Sequence, residues 1–283
     1  MKLNLGTAEI YVPDGLPPSE ALARTTHLAV AAHQDDLEIM AFDGILKCFG
    51  RADRWFTGVV ATDGAGSPRD DLYKDYTDAM MREVRRKEQK KAAYVADYAG
   101  VVLLDYPSSA VKSPKDARPK EDIAAILRAA RPETVYTHNL ADKHDTHVAT
   151  ALRTIAAIRS LPAEERPKQL YGCEVWRDLD WLVDADKVAF DLSGHENLQA
   201  ALLGVFDSQI CGGKRYDLAT QGRRRANATY FASHGTDVAT ALSYGMDLTP
   251  LITDATLSPW QYVSAFFDRF NGEVKTRLGQ LDG

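Results

Sequence analysis

The 283-residue chain has only three cysteines, Cys48, Cys173 and Cys211. They are odd in number and far apart, which argues against a disulfide framework and against a zinc site built on cysteine pairs. A reducing, cytoplasmic setting is therefore expected. No run of about 18 apolar residues is present, so no membrane-spanning helix is expected. Met1 to Gly6 contain no apolar stretch of the kind a secretory signal needs, and none is expected there. A basic surplus is also missing. The 34 Lys and Arg stand against 40 Asp and Glu, a net charge of −6, which argues against a general nucleic-acid or anionic-membrane binder. The 19 glycines and 12 prolines show no period, so the chain is neither collagen-like nor of low complexity. What is present is 45% hydrophobic and 26% charged residues, enough apolar material for a real core.

The first two-thirds alternates between two patterns. Short β-rich runs fall at His27–Ala32, Trp55–Ala61, Val101–Leu104 and Thr134–Thr137. Helical stretches lie between them, at Leu37–Cys48, Leu72–Ala99, Ile123–Ala130 and Val148–Ile158. The long second stretch carries Arg82, Arg85, Arg86 and Glu88, read here as its outer faces, with Arg85 and Glu88 as a surface ion pair. Alternation of this kind predicts an α/β fold, a mostly parallel sheet covered on both faces. Further strands are expected at Gln169–Val175 and Val188–Leu192, and further helices at Glu196–Phe206, Tyr216–Phe231 and Trp260–Phe270. Residues 232–259 read as an irregular cap. With no linker visible, residues 1–283 form a single expected domain, with a core over about 26–210 and a C-terminal extension over 211–283.

Polar residues gather where the first four strands end. His33-Gln34-Asp35-Asp36 follows the first, and Asp63-Gly64-Ala65-Gly66 to Arg69 the second. Asp105 closes the third, and His138-Asn139 the fourth, with Asp142, His144, Asp145 and His147 just beyond. In open α/β sheets the carboxyl ends of the strands line the ligand crevice. Zinc takes imidazole nitrogen and carboxylate oxygen, and a catalytic site keeps one position open for water. His33 and Asp36 are candidate ligands, with His147 or His144 as the third and Asp35 as a general base. The blander alternatives are helix caps at Asp35, Asp36, Asp145 or Thr146. The glycine-rich turn lacks both nucleotide-loop patterns, and Arg69 beside it is a candidate anion or sugar-hydroxyl contact. No G-x-S-x-G nucleophile elbow is present. Trp176, Trp181 and Tyr230 are read first as core aromatics, with a sugar platform as the alternative.

Ala32-His33-Gln34-Asp35-Asp36-Leu37-Glu38 resembles the A-H-P-D-D-x-E signature of the PIG-L, or LmbE-like, zinc deacetylases. His144-Asp145-Thr146-His147 resembles that family's second signature, H-P-D-H, and Asp207-Ser208-Gln209 the end of its H-x-S-Q segment. The resemblance spans roughly residues 26–210. It implies a Rossmann-like fold, with zinc, or Fe2+ as the alternative divalent ion, held by His33, Asp36 and His147. It further implies Asp35 as general base and His144 as the group that polarises the carbonyl or protonates the amine. Arg69 and Asp105 stand near positions from which the family contacts substrate, and Asp142 is a third candidate substrate contact. The implied activity is removal of an N-acetyl group from an amino-sugar substrate. The implied partner is that small molecule, with no nucleic acid and no membrane insertion; a homo-oligomer is compatible with it.

Three departures matter. Gln34 stands where the family has Pro, Asp145-Thr146 where it has Pro-Asp, and Asp207 where it often has His. The orienting role of the missing Asp then passes to Asp145 or to Asp142. The readings to be set against a deacetylase are another metal-dependent ester or amide hydrolase, and a non-catalytic sugar-binding α/β protein.

Overall fold

In the computed structural model, which describes residues 1–282, the chain runs β1 (Glu9–Tyr11), α1 (Pro18–Ala23), β2 (His27–Ala31), α2 (Asp36–Met40), α3 (Phe42–Cys48) and β3 (Phe56–Thr62). It continues through α4 (Asp78–Val95), β4 (Gly100–Tyr106), α5 (Ser108–Lys112), α6 (Arg118–Ala130), β5 (Thr134–His138) and α7 (Asp145–Arg159). The rest is β6 (Gln169–Cys173), β7 (Lys187–Asp191), α8 (Glu196–Gly204), α9 (Asp207–Ile210), α10 (Tyr216–Tyr230), β8 (Leu242–Asp247), α11 (Thr249–Thr253) and α12 (Pro259–Leu281).

Every residue of β2, β3, β4 and β5 is buried, as continuous apolar strands covered on both faces should be. The eight strands form one sheet in the order β1-β4-β3-β2-β5-β6-β8-β7. β2 to β6 pair in parallel. β1 joins β4 antiparallel, and β8 lies antiparallel between β6 and β7. One face of the sheet packs α1, α6, α7, α11 and the start of α12 through Leu22, Ile126, Ile155, Leu251 and Phe266. The other packs α2, α3, α4 and α8 through Leu37, Ile45, Ala92 and Leu202. The three-layer α/β architecture expected from the alternation is therefore present. No helix among the described residues is long and apolar enough to cross a membrane.

The sheet is wider than the sequence pattern indicates. β1 is a three-residue edge strand, too short to show a period. β8 lies inside the segment read as an irregular cap, so residues 211–283 contribute a strand to the sheet as well as an extension. Its Gly245 looks like a turn residue in sequence. It is instead demanded by the Phe190 ring of β7, since a Cβ there would sit 2.6 Å from a ring carbon. The stretch at 37–48 breaks at Ala41 into two helices, and the final helix runs eleven residues past Phe270.

The topology also fixes where a ligand belongs. β3 and β4 lie to one side of β2, while β5 and β6 lie to the other. The crevice at the carboxyl ends of β2 and β5 is the point where the strand order reverses, the usual ligand position in such sheets.

Candidate metal centre and cleft

The turn after β2 carries His33 to Asp36. Asp36 opens α2, and its Oδ2 accepts the His33 N–H at 2.7 Å while standing 3.2 Å from His33 Nδ1. After β5 the chain makes a second turn, and α7 then carries His147 inward on its first turn. His147 Nε2 lies 3.2 Å from His33 Nδ1 and 3.5 Å from Asp36 Oδ2. These three separations match the edges of a tetrahedral site. With metal–nitrogen bonds of about 2.0–2.1 Å, the donors of such a site stand about 3.3 Å apart. His33 is partly open to the cleft, whereas Asp36 and His147 are buried. Two imidazole nitrogens and one carboxylate oxygen therefore converge on one point, a donor set suited to a divalent ion.

Asp142 supports this arrangement from behind. Its Oδ2 is 3.6 Å from His147 Nδ1, and it also accepts the Trp176 N–H at 3.1 Å. Its Oδ1 accepts the His144 N–H at 2.9 Å. Burial works against a charged His147, but Asp36 and Asp142 outweigh it and raise its pKa. Burial likewise opposes ionisation of Asp36, yet His147, His138 and His33 hold its carboxyl far below the usual carboxylate range.

A second convergent set substitutes His138 for His33, since His138 Nε2 is 3.5 Å from Asp36 Oδ2, and a third joins His33, His144 and His147. That nitrogen is already used: it accepts the Ala32 N–H at 2.9 Å. The His138 ring stacks on His147 with centroids 3.9 Å apart, and burial pushes its pKa down. Neutral His138 is a buried brace that ties the end of β5 to the turn after β2.

Asp35 sits between two of the donors in a left-handed conformation, φ 93°, costly for a non-glycine residue. Its N–H donates to Gln89 Oε1 at 3.2 Å, and Gln89 Nε2 donates to Glu38 at 2.8 Å. Arg85 of α4 lies 3.4 Å from the Asp35 carboxylate and donates to the Gln34 carbonyl. Burial raises the Asp35 pKa; Arg85 pulls it down and the Asp36 charge adds to the rise. Gln34, in the place of a proline, anchors the turn through Nε2 to the Thr62 carbonyl at 3.0 Å.

The cleft above these residues has a volume of about 390 Å³ and is lined by His33, Asp35, Asp36, Arg85, His144 and Trp176 among others. His144 is pushed down to about 4 by burial and by His147 and His33. Its ring lies 5.0 Å from that of His33 and 6.3 Å from that of Trp176.

Residues 28–158 match the family described as PIG-L, GlcNAc-PI de-N-acetylase. No curated protein matches the sequence. Among solved structures, the chain is similar to the N,N'-diacetylchitobiose deacetylase of Pyrococcus horikoshii, with a TM-score of 0.63 at 17% identity over 82% of this chain and 86% of that one. It is similar to the 4-carboxy-2-hydroxymuconate hydratase GalB of Pseudomonas putida KT2440, with 0.62 at 17% over 79% and 96%. It also resembles the A40926 pseudoaglycone deacetylase Dbv21, with 0.57 at 15% over 79% and 97%. At such identities the shared property is the fold, and these folds carry both deacetylase and hydratase chemistry.

Both signatures fall inside the PIG-L segment, and the fold brings them together. Three expected substrate contacts lie elsewhere. Arg69 donates to the Ala65 carbonyl at 2.7 Å and pairs with Asp78, outside the cleft lining. Asp105 is buried against Arg82 and Arg86. Asp142 serves His147 rather than the cleft, while Asp145 is exposed at the start of α7. The expected surface pair is also corrected. Arg85 and Glu88 are buried, and Glu88 accepts the Ser208 N–H and hydroxyl at 2.7 and 2.6 Å. Apolar Met81, Ala92 and Ala96 recur on this helix face, which is the sequence signal that Arg85 and Glu88 point inward. Trp176, read as core, lines the cleft, and Tyr230 is exposed.

Proposed function

We propose that the chain is a metal-dependent hydrolase that removes the N-acetyl group from an amino-sugar substrate. The observation that carries this reading is the convergence of His33 Nδ1, Asp36 Oδ2 and His147 Nε2 within 3.2–3.5 Å, beside a buried carboxyl on the cleft wall. A divalent ion held there, zinc in the first instance and Fe2+ as the alternative, supplies Lewis-acid polarisation of the amide carbonyl and lowers the pKa of water.

The chain's own residues do the rest. Asp35, its pKa raised by burial, accepts the proton of the attacking water and returns it to the amine nitrogen as the C–N bond breaks. Arg85 keeps that carboxylate aimed at the cleft. His144 is neutral at pH 7 and donates an N–H to the oxyanion that develops on the carbonyl oxygen. The products are acetate and a free amine.

Acetate release from a panel of N-acetylated amino sugars, with added Zn2+ or Fe2+, tests the reading. The wild-type chain releases acetate, and Asp35→Asn lowers the rate by about 10²–10⁴-fold, the usual contribution of a positioned base. No acetate from any member of the panel, or full activity in Asp35→Asn, refutes it.

A further inference from the structure

A second cavity, of about 220 Å³, opens beside the cleft. The two share Ile39, Val175, Trp176 and Tyr216, so they adjoin across these side chains. Their chemistry differs. The main cleft presents Asp63, Ser67, Ser108 and Lys112 from the ends of β3 and β4, whereas the lining of the side cavity is mostly apolar. Its charged members are turned to internal use. Glu174 accepts from the Leu179 and Tyr244 backbones at 2.8 Å. Arg223 donates to the Val175 carbonyl. Arg224 donates to Gln199 and to the Glu38 and Ile39 carbonyls. What remains for a ligand is the surface of Ile39, Val175, Trp176, Tyr216 and Ala219.

The shared wall stands beside the candidate catalytic groups. Ile39 follows Asp36 by three residues on α2, and Trp176 stacks beside His144. An amide whose carbonyl carbon lies between Asp36 and His144 has one substituent toward this wall, and the apolar lining behind it suits an acyl chain. The sugar is left to the polar cleft. An acetyl methyl does not need a cavity of this size.

We infer that the side cavity is an acyl-chain subsite, and that the preferred substrate is an N-acyl amino sugar with an unbranched apolar chain longer than acetyl. This rests on the amide-hydrolase reading and extends its substrate class from N-acetyl to longer N-acyl groups. Each methylene moved from water into an apolar pocket is worth about 0.8 kcal/mol, or roughly fourfold in kcat/KM when the gain is kept in the transition state.

The test is kcat/KM of the metal-supplemented full chain on N-acetyl-, N-butyryl- and N-hexanoylglucosamine. Butanoate and hexanoate are compared with acetate as product inhibitors. The expected result is a rise along the series of roughly fourfold per methylene, with the longer acids inhibiting more tightly. Ala219→Phe, at an exposed position on the cavity wall, narrows the space and collapses the hexanoyl-to-acetyl ratio. Thermal unfolding of that variant checks that it is folded. A flat or falling series, or a ratio that Ala219→Phe leaves intact, overturns the subsite while the hydrolase reading stands. Absence of turnover on every member removes both, and the acetyl substrate alone distinguishes the two failures.

Discussion

Asp142 Oδ2 stands 3.6 Å from His147 Nδ1, and Nε2 of the same ring faces His33 Nδ1 at 3.2 Å. A carboxylate in this position fixes which nitrogen of the imidazole carries the proton, and so which one is free to bind metal. Asp142→Asn should lower divalent-metal affinity by about 10–100-fold, the common cost of losing such a support. Competition against a chromogenic chelator measures it. An unchanged affinity would show that His147 is oriented by packing alone.

Arg85 is buried between Asp35, the Gln34 carbonyl and Glu88. Lysine keeps the charge but loses the planar fork that reaches several acceptors at once. Arg85→Lys should therefore reduce kcat by about 10–100-fold with little change in KM, as a misaimed base does. Steady-state kinetics on the released acyl group decide this, and an unaltered kcat would remove Arg85 from the account.

Glu9 offers a pH test far from the cleft. Burial raises its pKa, but Lys90 and Arg86 of α4, 2.8 and 2.7 Å away, bring the net value below 4.5. A depressed folded-state pKa stabilises the fold above the unfolded value, and the contribution fades as pH falls through the folded one. Glu9→Gln should thus lower the melting temperature by a few degrees at pH 7, in line with a partly buried pair worth about 1 kcal/mol. The difference from wild type should narrow as the pH is taken down from 4.5. A gap that does not change with pH would mean that β1 is held to α4 by packing rather than charge.

Much of this was legible in the sequence because burial on both faces leaves an unmistakable apolar run. β2 to β5 lie within two residues of their expected bounds at every end. The His33–Asp36 and His144–His147 turns could be paired in advance, since a parallel sheet puts all its carboxyl ends on one edge. Three things were hidden. β8 carries a glycine whose reason is the Phe190 ring, a contact made between strands far apart in sequence. Arg85 looked like surface because a charged residue on a charged helix normally is, and its partners Asp35 and Ser208 come from other elements. Asp105 and Arg69 stand at the right strand ends, yet nearer cations and acids claim them first. Strand-end position places a side chain near the crevice; competition among neighbours decides whether it faces it.

We propose that His33, Asp36 and His147 form one metal site, with His138 as a brace. The direct measurement is metal content per chain after loading with Zn2+ and desalting, for wild type, His33→Gln and His138→Gln. Glutamine at 138 can still accept the Ala32 N–H that the imidazole now accepts. Wild type should hold a single tightly bound ion, His33→Gln should lose it and His138→Gln should retain it. Retention in His33→Gln together with loss in His138→Gln would contradict it and move the site onto the second triad.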